Sequence, residues 1–303
     1  MTDAVSPDFR PPGKAKRGLL APVLALLPAK WRRRAPVVAV VRLSGVISAA
    51  SRFGGGLNIA KLEKTIDNAF DVKGAAAVAL VINSPGGSSA QSHLIMRRIR
   101  ALADEKELPV FAFVEDVAAS GGYMIACAAD EIIADPTSII GSIGVVSASF
   151  GFDKLIEKLG VERRVHTAGR SKSMLDPFRP EKQEDVERLL ALQKDVHDFF
   201  IALVRERRAN KLKASDDTLF TGEFWLASRA IDLGLADSMG DLRSTMRQRF
   251  GDKVRFKTVS EPRGFLSRRL GLEAGFAASH AEQLTEGFLA AIEARAIRSR
   301  FGL

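Results

Sequence analysis

Short, nearly continuous apolar runs alternate with stretches in which apolar residues recur every three or four positions, from about residue 36 to residue 251. The runs "VVAVVRLSGVI", "AAAVALVIN", "PVFAFVE" and "EIIADP" predict strands, as does "VERRVHTAG" further on. Between them, "NIAKLEKTIDNAF", "SSAQSHLIMRRIRALADEKE" and "FDKLIEKLG" predict helices, and "GYMIACAAD" predicts a tightly packed helix directly after the third strand. A long amphipathic helix follows in "EKQEDVERLLALQKDVHDFFIALVRERR", where Leu189, Leu192, Val196, Phe199 or Phe200, and Val204 form a stripe that suits a core or a subunit contact. "TGEFWLASRAIDLGLADSMGD" reads as a loop, a helix stopped at Gly234, and a turn. Strands that are apolar on both faces and separated by helices predict an α/β protein, with a mostly parallel sheet covered by helices.

Beyond this region the pattern changes. Residues 252–303 offer one strand, "KVRFKTV", a linker with Pro and Gly, and a helix, "AEQLTEGFLAAIEARAIRSRF", in which Leu284, Phe288 and Ile292 share a face. Residues 1–35 form a basic tail around the apolar segment "GLLAPVLALLPA". Three parts are therefore expected: the tail over 1–35, the main domain over 36–251, and a C-terminal extension with an amphipathic helix over 252–303.

Charge sharpens that division. The net charge is +9, yet residues 1–35 carry eight basic side chains against Asp3 and Asp8, and residues 252–303 carry nine basic against six acidic, so the centre is neutral. A neutral main domain argues against nucleic acid as a partner, and basic tails suit an acidic membrane surface. The apolar segment at 18–29, broken by Pro22 and Pro28, is shorter than the roughly 20 residues that span a bilayer. The single cysteine, Cys127, excludes an internal disulfide and a cysteine-rich metal site, and reads as a small hydrophobe in the helix.

Candidate chemistry centres on "EDVAASGGYMIACAAD", which sets Ser120 at a junction of strand and helix, where backbone N–H groups lack helical partners. Gly86 and Gly87 in "INSPGGSS" permit a turn that brings a further donor close to a substrate carbonyl. The patterns of a P-loop, of the H-E-x-x-H zinc peptidases, of the G-x-S-x-G elbow and of the S-x-x-K enzymes are all absent. A serine nucleophile needs a base, and none of the four histidines, His93, His166, His197 and His280, stands in an obvious relation to Ser120. His93 and His197, in the long helices, read as structural. A desolvated lysine is the alternative activator, because loss of water favours the neutral amine.

The segments "INSPGGSS", "AASGGYMIACAAD", "GSIGVV", "TAGRSKSMLDPF" and "LFTGEFWLASRAIDLGLAD", in this order, resemble the signal peptide peptidase family of Ser-Lys serine proteases, from about Val37 to Gly240. That resemblance implies a Clp/crotonase-like fold. It further implies Ser120 as nucleophile, Lys172 as general base, Ser142 as the hydroxyl that orients the lysine, and the N–H groups of Gly87 and Gly121 as the oxyanion hole. No metal or organic cofactor is implied. The implied substrates are extended apolar peptides such as signal-peptide remnants, bound by strand addition. The implied assembly is a ring-like homo-oligomer at a bacterial inner membrane. The short, proline-broken apolar segment leaves open the side of the membrane, and a soluble cytoplasmic form with it.

Two fold relatives and one inactive form are the alternatives. A Clp-type Ser-His-Asp protease takes its base from a histidine about 25 residues after the serine, whereas no histidine lies between Ser120 and His166. A crotonase-type acyl-CoA enzyme uses paired N–H donors but needs no serine followed by a lysine. An inactive peptide-binding scaffold is opposed by the intact Ser120 and Lys172.

Overall fold

The computed structural model describes residues 35–49, 56–169, 171–260 and 301. The basic tail and nearly all of the C-terminal helix expected from the sequence lie outside the described residues.

The described chain runs through β1 (Val37–Ser44), α1 (Ile59–Phe70), β2 (Ala75–Ser84), α2 (Ser89–Lys106), β3 (Val110–Ala119), α3 (Gly121–Ala126), β4 (Glu131–Ala134) and β5 (Ile139–Gly141). It continues with α4 (Asp153–Lys158), α5 (Gln183–Arg208), α6 (Asp216–Leu219), β6 (Phe224–Leu226), α7 (Ala227–Asp232), β7 (Ser238–Met239), α8 (Leu242–Phe250) and β8 (Arg255–Val259). The first two helices start at side-chain caps. Asn58 accepts from the Lys61 N–H and Ser88 from the Gln91 N–H, each satisfying a donor that the first helical turn leaves free.

One sheet of eight strands holds the molecule together, in the order β6-β5-β3-β2-β1-β8, with β4 beside β3 and β7 beside β4. All neighbours are parallel except β5 and β6. Both faces are covered, as the unbroken apolar runs require. Leu62, Ile66 and Phe70 of α1, Ile95 and Ile99 of α2, the α3 helix, and Phe200, Leu203 and Val204 of α5 pack on one face. Met246 and Phe250 of α8 pack with Val38, Val40, Phe111 and Phe113 on the other.

This is the α/β, mostly parallel, helix-covered sheet that the pattern predicts. The "KVRFKTV" strand is present as β8 and pairs with β1, so the main sheet draws on residues beyond 251. The strand expected in "VERRVHTAG" is absent: residues 161–169 have no regular structure and are almost all exposed. Its β-branched residues pair with no sheet edge, and β propensity without a partner strand does not hold a strand. Three short strands, β5, β6 and β7, are not expected from the sequence, because two or three residues are too few to show a period.

The edge of β3 sets the working end of the sheet. Its first half pairs with β4 and its last three residues pair with β5, matching Ala119 to Gly141. Against β2 the register shifts between Ile82, opposite Val114, and Ser84, opposite Ala118, so β3 bulges. The polar residues in the bulge are satisfied by neighbours: Glu115 accepts from Arg42 at 2.6 and 2.7 Å, and Asp116 accepts from the Asn83 amide at 2.5 Å.

Candidate active site

Ser120 is the residue at which β3 ends and α3 begins, and its backbone is held at φ 51°, ψ −122°. A non-glycine residue in such a conformation costs of order 1–3 kcal/mol and persists only where its surroundings force it. Here the Ser120 N–H donates to the Gly141 carbonyl at 2.9 Å, and the Ser120 carbonyl accepts from the Met124 N–H at 3.0 Å. The strand on one side and the helix on the other thus lock the backbone and leave the side chain partly accessible.

The "SPGG" turn lies directly against this junction. A Cβ placed on Gly86 would sit 2.8 Å from the Gly121 nitrogen and 2.9 Å from the Ser120 Cβ. One on Gly87 would sit 2.0 Å from the Ile47 carbonyl oxygen. Both glycines have positive φ, 99° and 138°, so close approach and backbone conformation each demand glycine. The Ile47 N–H donates to Gly86 O and the Ser88 N–H donates to Ile47 O, both at 2.8 Å, which fixes the turn to the segment after β1. Among the described residues, the N–H groups of Gly87 and Gly121 donate to nothing. Two unspent donors therefore lie in the turn packed on Ser120 and at the start of the helix that follows it, positions from which N–H groups can stabilise an oxyanion.

Ser142 lies beside the same junction, because Gly141, which accepts from the Ser120 N–H, precedes it. It too has a positive φ, 53°, and is buried. Its N–H donates to the Glu223 carbonyl at 2.6 Å and its carbonyl accepts from the Gly144 N–H at 3.0 Å, while its hydroxyl has no partner among the described residues. Gly141 and Gly144 are pressed against Trp225 and Gly222, so the "GSIG" loop is clamped from the β6 side. From the opposite side His197 of α5 reaches the Ile143 carbonyl at 3.1 Å. The sequence reading treated His197 as structural and had no signal linking it to Ser142, 55 positions earlier.

Among the described residues no hydrogen bond or ion pair links the Lys172 side chain to this cluster. Lys172 is exposed, in a turn over 171–175, and its N–H donates to the Gly169 carbonyl at 3.2 Å. That turn is tied to α5 instead: Arg188 donates to the Ser171 hydroxyl, and Asp185 accepts from the Leu175 N–H at 3.3 Å. The whole segment between β5 and α5 carries exposed apolar side chains, with Val146, Phe150, Leu155, Leu159 and Val161 each more than half exposed. The α5 helix continues this character, since Leu190 and Leu192 are also exposed and its buried residues all lie in its last third.

The C-terminal end of α5 anchors the helix under the site. Arg207 donates to the carbonyls of Cys127 and Ala129 at the end of α3. The fully buried Arg208 donates to Gly234 O and forms an ion pair with Asp237 at 2.8 Å, while the Tyr123 hydroxyl donates to Leu235 O at 2.9 Å. Burial pushes the Asp237 carboxyl up, but hydrogen bonds from Arg208, its charge, Lys211 and the Ile132 N–H outweigh that and hold it below its usual range. Burial pushes the Cys127 thiol up to about 12.

A strand-to-helix serine beside two free N–H groups on a parallel, helix-covered sheet is an arrangement that acyl-transfer chemistry can use. The comparisons with known proteins give the family. The model for peptidase family S49 matches residues 102–251. The putative protease slr0021 of Synechocystis is 30% identical over 244 residues, which are 77% of this chain and 83% of that protein. The chain belongs to peptidase family S49, which sets it among the serine-type peptidases.

A chloroplastic serine protease SPPA of Arabidopsis thaliana is 33% identical over 213 residues, 68% of this chain and 31% of that one. Higher identity, 51% over 302 residues, occurs in a Brucella abortus protein named Na(+)/H(+) antiporter NhaA. That match takes in 98% of this chain but 40% of the Brucella protein, so the name describes a much longer polypeptide. The chain thus spans less than half the length of these last two relatives. Among the described residues no helix is long and apolar enough to cross a membrane. A solved structure of the 1510-N membrane-bound stomatin-specific protease aligns with 76% of this chain and all of its own, at 13% identity and a TM-score of 0.45.

Proposed function

We propose that this chain is a serine endopeptidase that cleaves extended apolar peptides, such as signal-peptide remnants, through an acyl-enzyme formed on Ser120. The observation that carries this reading is the pair of unspent N–H groups, on Gly87 and Gly121, beside a serine held at positive φ. Neutral Lys172 takes the Ser120 proton as the oxygen attacks the peptide carbonyl, and the developing oxyanion is held by the two N–H groups. The lysine returns its proton to the leaving amine. Water, deprotonated by the same lysine, then releases the acyl group. Ser142, whose hydroxyl is unpartnered, orients the amine by a hydrogen bond.

A lysine amine must be neutral to act as base, and exposure to water favours the charged form. Lys172 is exposed in the isolated chain, so burial of the segment around it is part of forming the site. The apolar side chains exposed on that segment and on the outer stretch of α5 are suited to burial against further copies of the chain, in the ring-like homo-oligomer that the family resemblance implies. Between its grip on Ser171 at Arg188 and on Ile143 at His197, α5 runs straight for nine residues, roughly 13 Å. That separation favours delivery of Lys172 to the Ser120 of a neighbouring subunit. The assembly works at a membrane surface, where apolar peptide remnants are found.

The test is hydrolysis of an apolar fluorogenic peptide by wild type, Ser120→Ala and Lys172→Ala, each checked for folding and assembly. Neither variant alone should cleave. Oligomers co-assembled from the two variants should recover part of the activity, because some interfaces then pair an intact serine with an intact lysine. Activity retained by Lys172→Ala refutes the dyad, and mixed oligomers without activity refute delivery across subunits.

A further inference from the structure

The loop that carries Ser142 is held by backbone contacts on one side and by one side chain on the other. On the β6 side, Glu223 O accepts from the Ser142 N–H, and Gly141 and Gly144 abut Trp225 and Gly222. On the α5 side, the side chain of His197 meets the carbonyl of Ile143, the residue next to Ser142, at 3.1 Å. A carbonyl only accepts, so the His197 Nε2 carries a proton and donates, which settles which ring nitrogen is protonated in this contact. The Ile143 side chain is fully buried, which fixes that residue in the core.

Ser142 is costly to hold. Its φ of 53° belongs to the left-handed region, and its carbonyl accepts from the N–H of the Ile143–Gly144 peptide, the same peptide whose oxygen His197 holds, so release of that oxygen would free Ser142 to relax toward a commoner conformation. The hydroxyl would swing with it. α5 is also the helix that grips both sides of the Lys172 turn, through Arg188 on Ser171 and Asp185 on Leu175, and its far end is fixed under α3 by Arg207. One rigid helix therefore contacts the loop that holds Ser142, the turn that holds Lys172 and the helix that follows Ser120.

We propose that His197 is a positioning residue for catalysis, which sets the direction of the Ser142 hydroxyl by holding the Ile143 carbonyl. This rests on the reading of Ser142 as the residue that orients the base. His197 touches neither substrate nor the reacting atoms; its effect passes through one peptide group. Loss of the imidazole should lower kcat and leave KM nearly unchanged, because what changes is the orientation of the base and not a contact with the peptide.

The experiment compares wild type, His197→Ala, His197→Gln, Ser142→Ala and the double variant His197→Ala/Ser142→Ala. All are assayed for kcat and KM on the fluorogenic peptide after confirmation of equal melting and assembly. His197→Ala should lose about tenfold in kcat, the worth of one neutral hydrogen bond. His197→Gln, whose amide N–H reaches the same carbonyl, should return to within about threefold of wild type. In the Ser142→Ala background, His197→Ala should change kcat less than about twofold, since the group it positions is gone. If Ser142→Ala keeps the wild-type kcat, the reading of Ser142 fails and the proposal falls with it. If Ser142→Ala is impaired but His197→Ala costs as much with Ser142 absent as present, or glutamine gives no rescue, the reading survives and the role of His197 is overturned. A defect confined to KM, or one that tracks lost assembly, overturns it as well.

Discussion

Replacement of Gly87 by alanine tests the geometry of the oxyanion pocket most directly. The new Cβ would lie 2.0 Å from the Ile47 carbonyl oxygen and 2.9 Å from its carbon, in a backbone with φ of 138°. An ordinary carbon-to-oxygen contact needs more than 3 Å, so the turn and the Ile47 segment must part by about 1 Å or more. The two 2.8 Å hydrogen bonds that tie them, Ile47 N–H to Gly86 O and Ser88 N–H to Ile47 O, stretch or break. Backbone strain of about 1–3 kcal/mol and two weakened hydrogen bonds of about 0.5–1.5 kcal/mol each give a destabilisation of roughly 2–6 kcal/mol. If the Gly87 N–H serves the oxyanion as proposed, this shift removes it, and loss of one such donor lowers kcat about 100- to 1,000-fold. Gly74→Ala is the control: φ is 76° and nothing lies within 4 Å of the added atom, so it should cost about 1–2 kcal/mol of stability with kcat unchanged. Thermal unfolding and peptide hydrolysis, the latter well below both melting points, separate the two effects. A folded Gly87→Ala protein with kcat within threefold of wild type would refute the assignment of that N–H to the oxyanion.

Other consequences follow from the buried groups beneath the site. A Cβ on Gly122 would lie 2.3 Å from Ser84 O, so Gly122→Ala should destabilise the protein by about 1–3 kcal/mol, read as a lower denaturant midpoint. Asp237 is held below its usual carboxyl range, so its charged form stabilises the fold above the unfolded-state value near 4, and that part is lost as pH falls through the lower folded value. The urea midpoint of wild type should therefore drop below about pH 4, and Asp237→Asn should be less stable at neutral pH with a shallower acid-side fall. Cys127, its thiol raised to about 12 and wholly buried, should react with an aromatic disulfide reagent only at the rate of unfolding; rapid labelling of native protein would contradict that burial.

Much of the frame was legible in the chain. Unbroken apolar runs such as "AAAVALVIN" announced strands buried on both faces, and the three- and four-residue recurrence in α1 and α2 announced the helices that cover them. The serine at the junction and the paired glycines stood out for a local reason: strand, turn and helix start are encoded within a few residues, so the chemistry that depends on them can be read there. Residues 161–169 were misread because β-branched composition says nothing about whether a partner strand is near.

The remaining features depend on contacts between distant positions, which no local period records. Sequence alone determined that Ser120 would begin a helix beside small residues and that Gly86 and Gly87 would turn. Only tertiary structure decided that the turn closes on Ser120 through Ile47, that β3 changes partner from β4 to β5 at its bulge, and that His197 reaches Ile143. It likewise decided that Lys172 stands exposed on the segment before α5. Local backbone preferences act over a few residues, whereas these arrangements arise from packing across the whole sheet, and a chain's sequence carries them only through the fold it adopts.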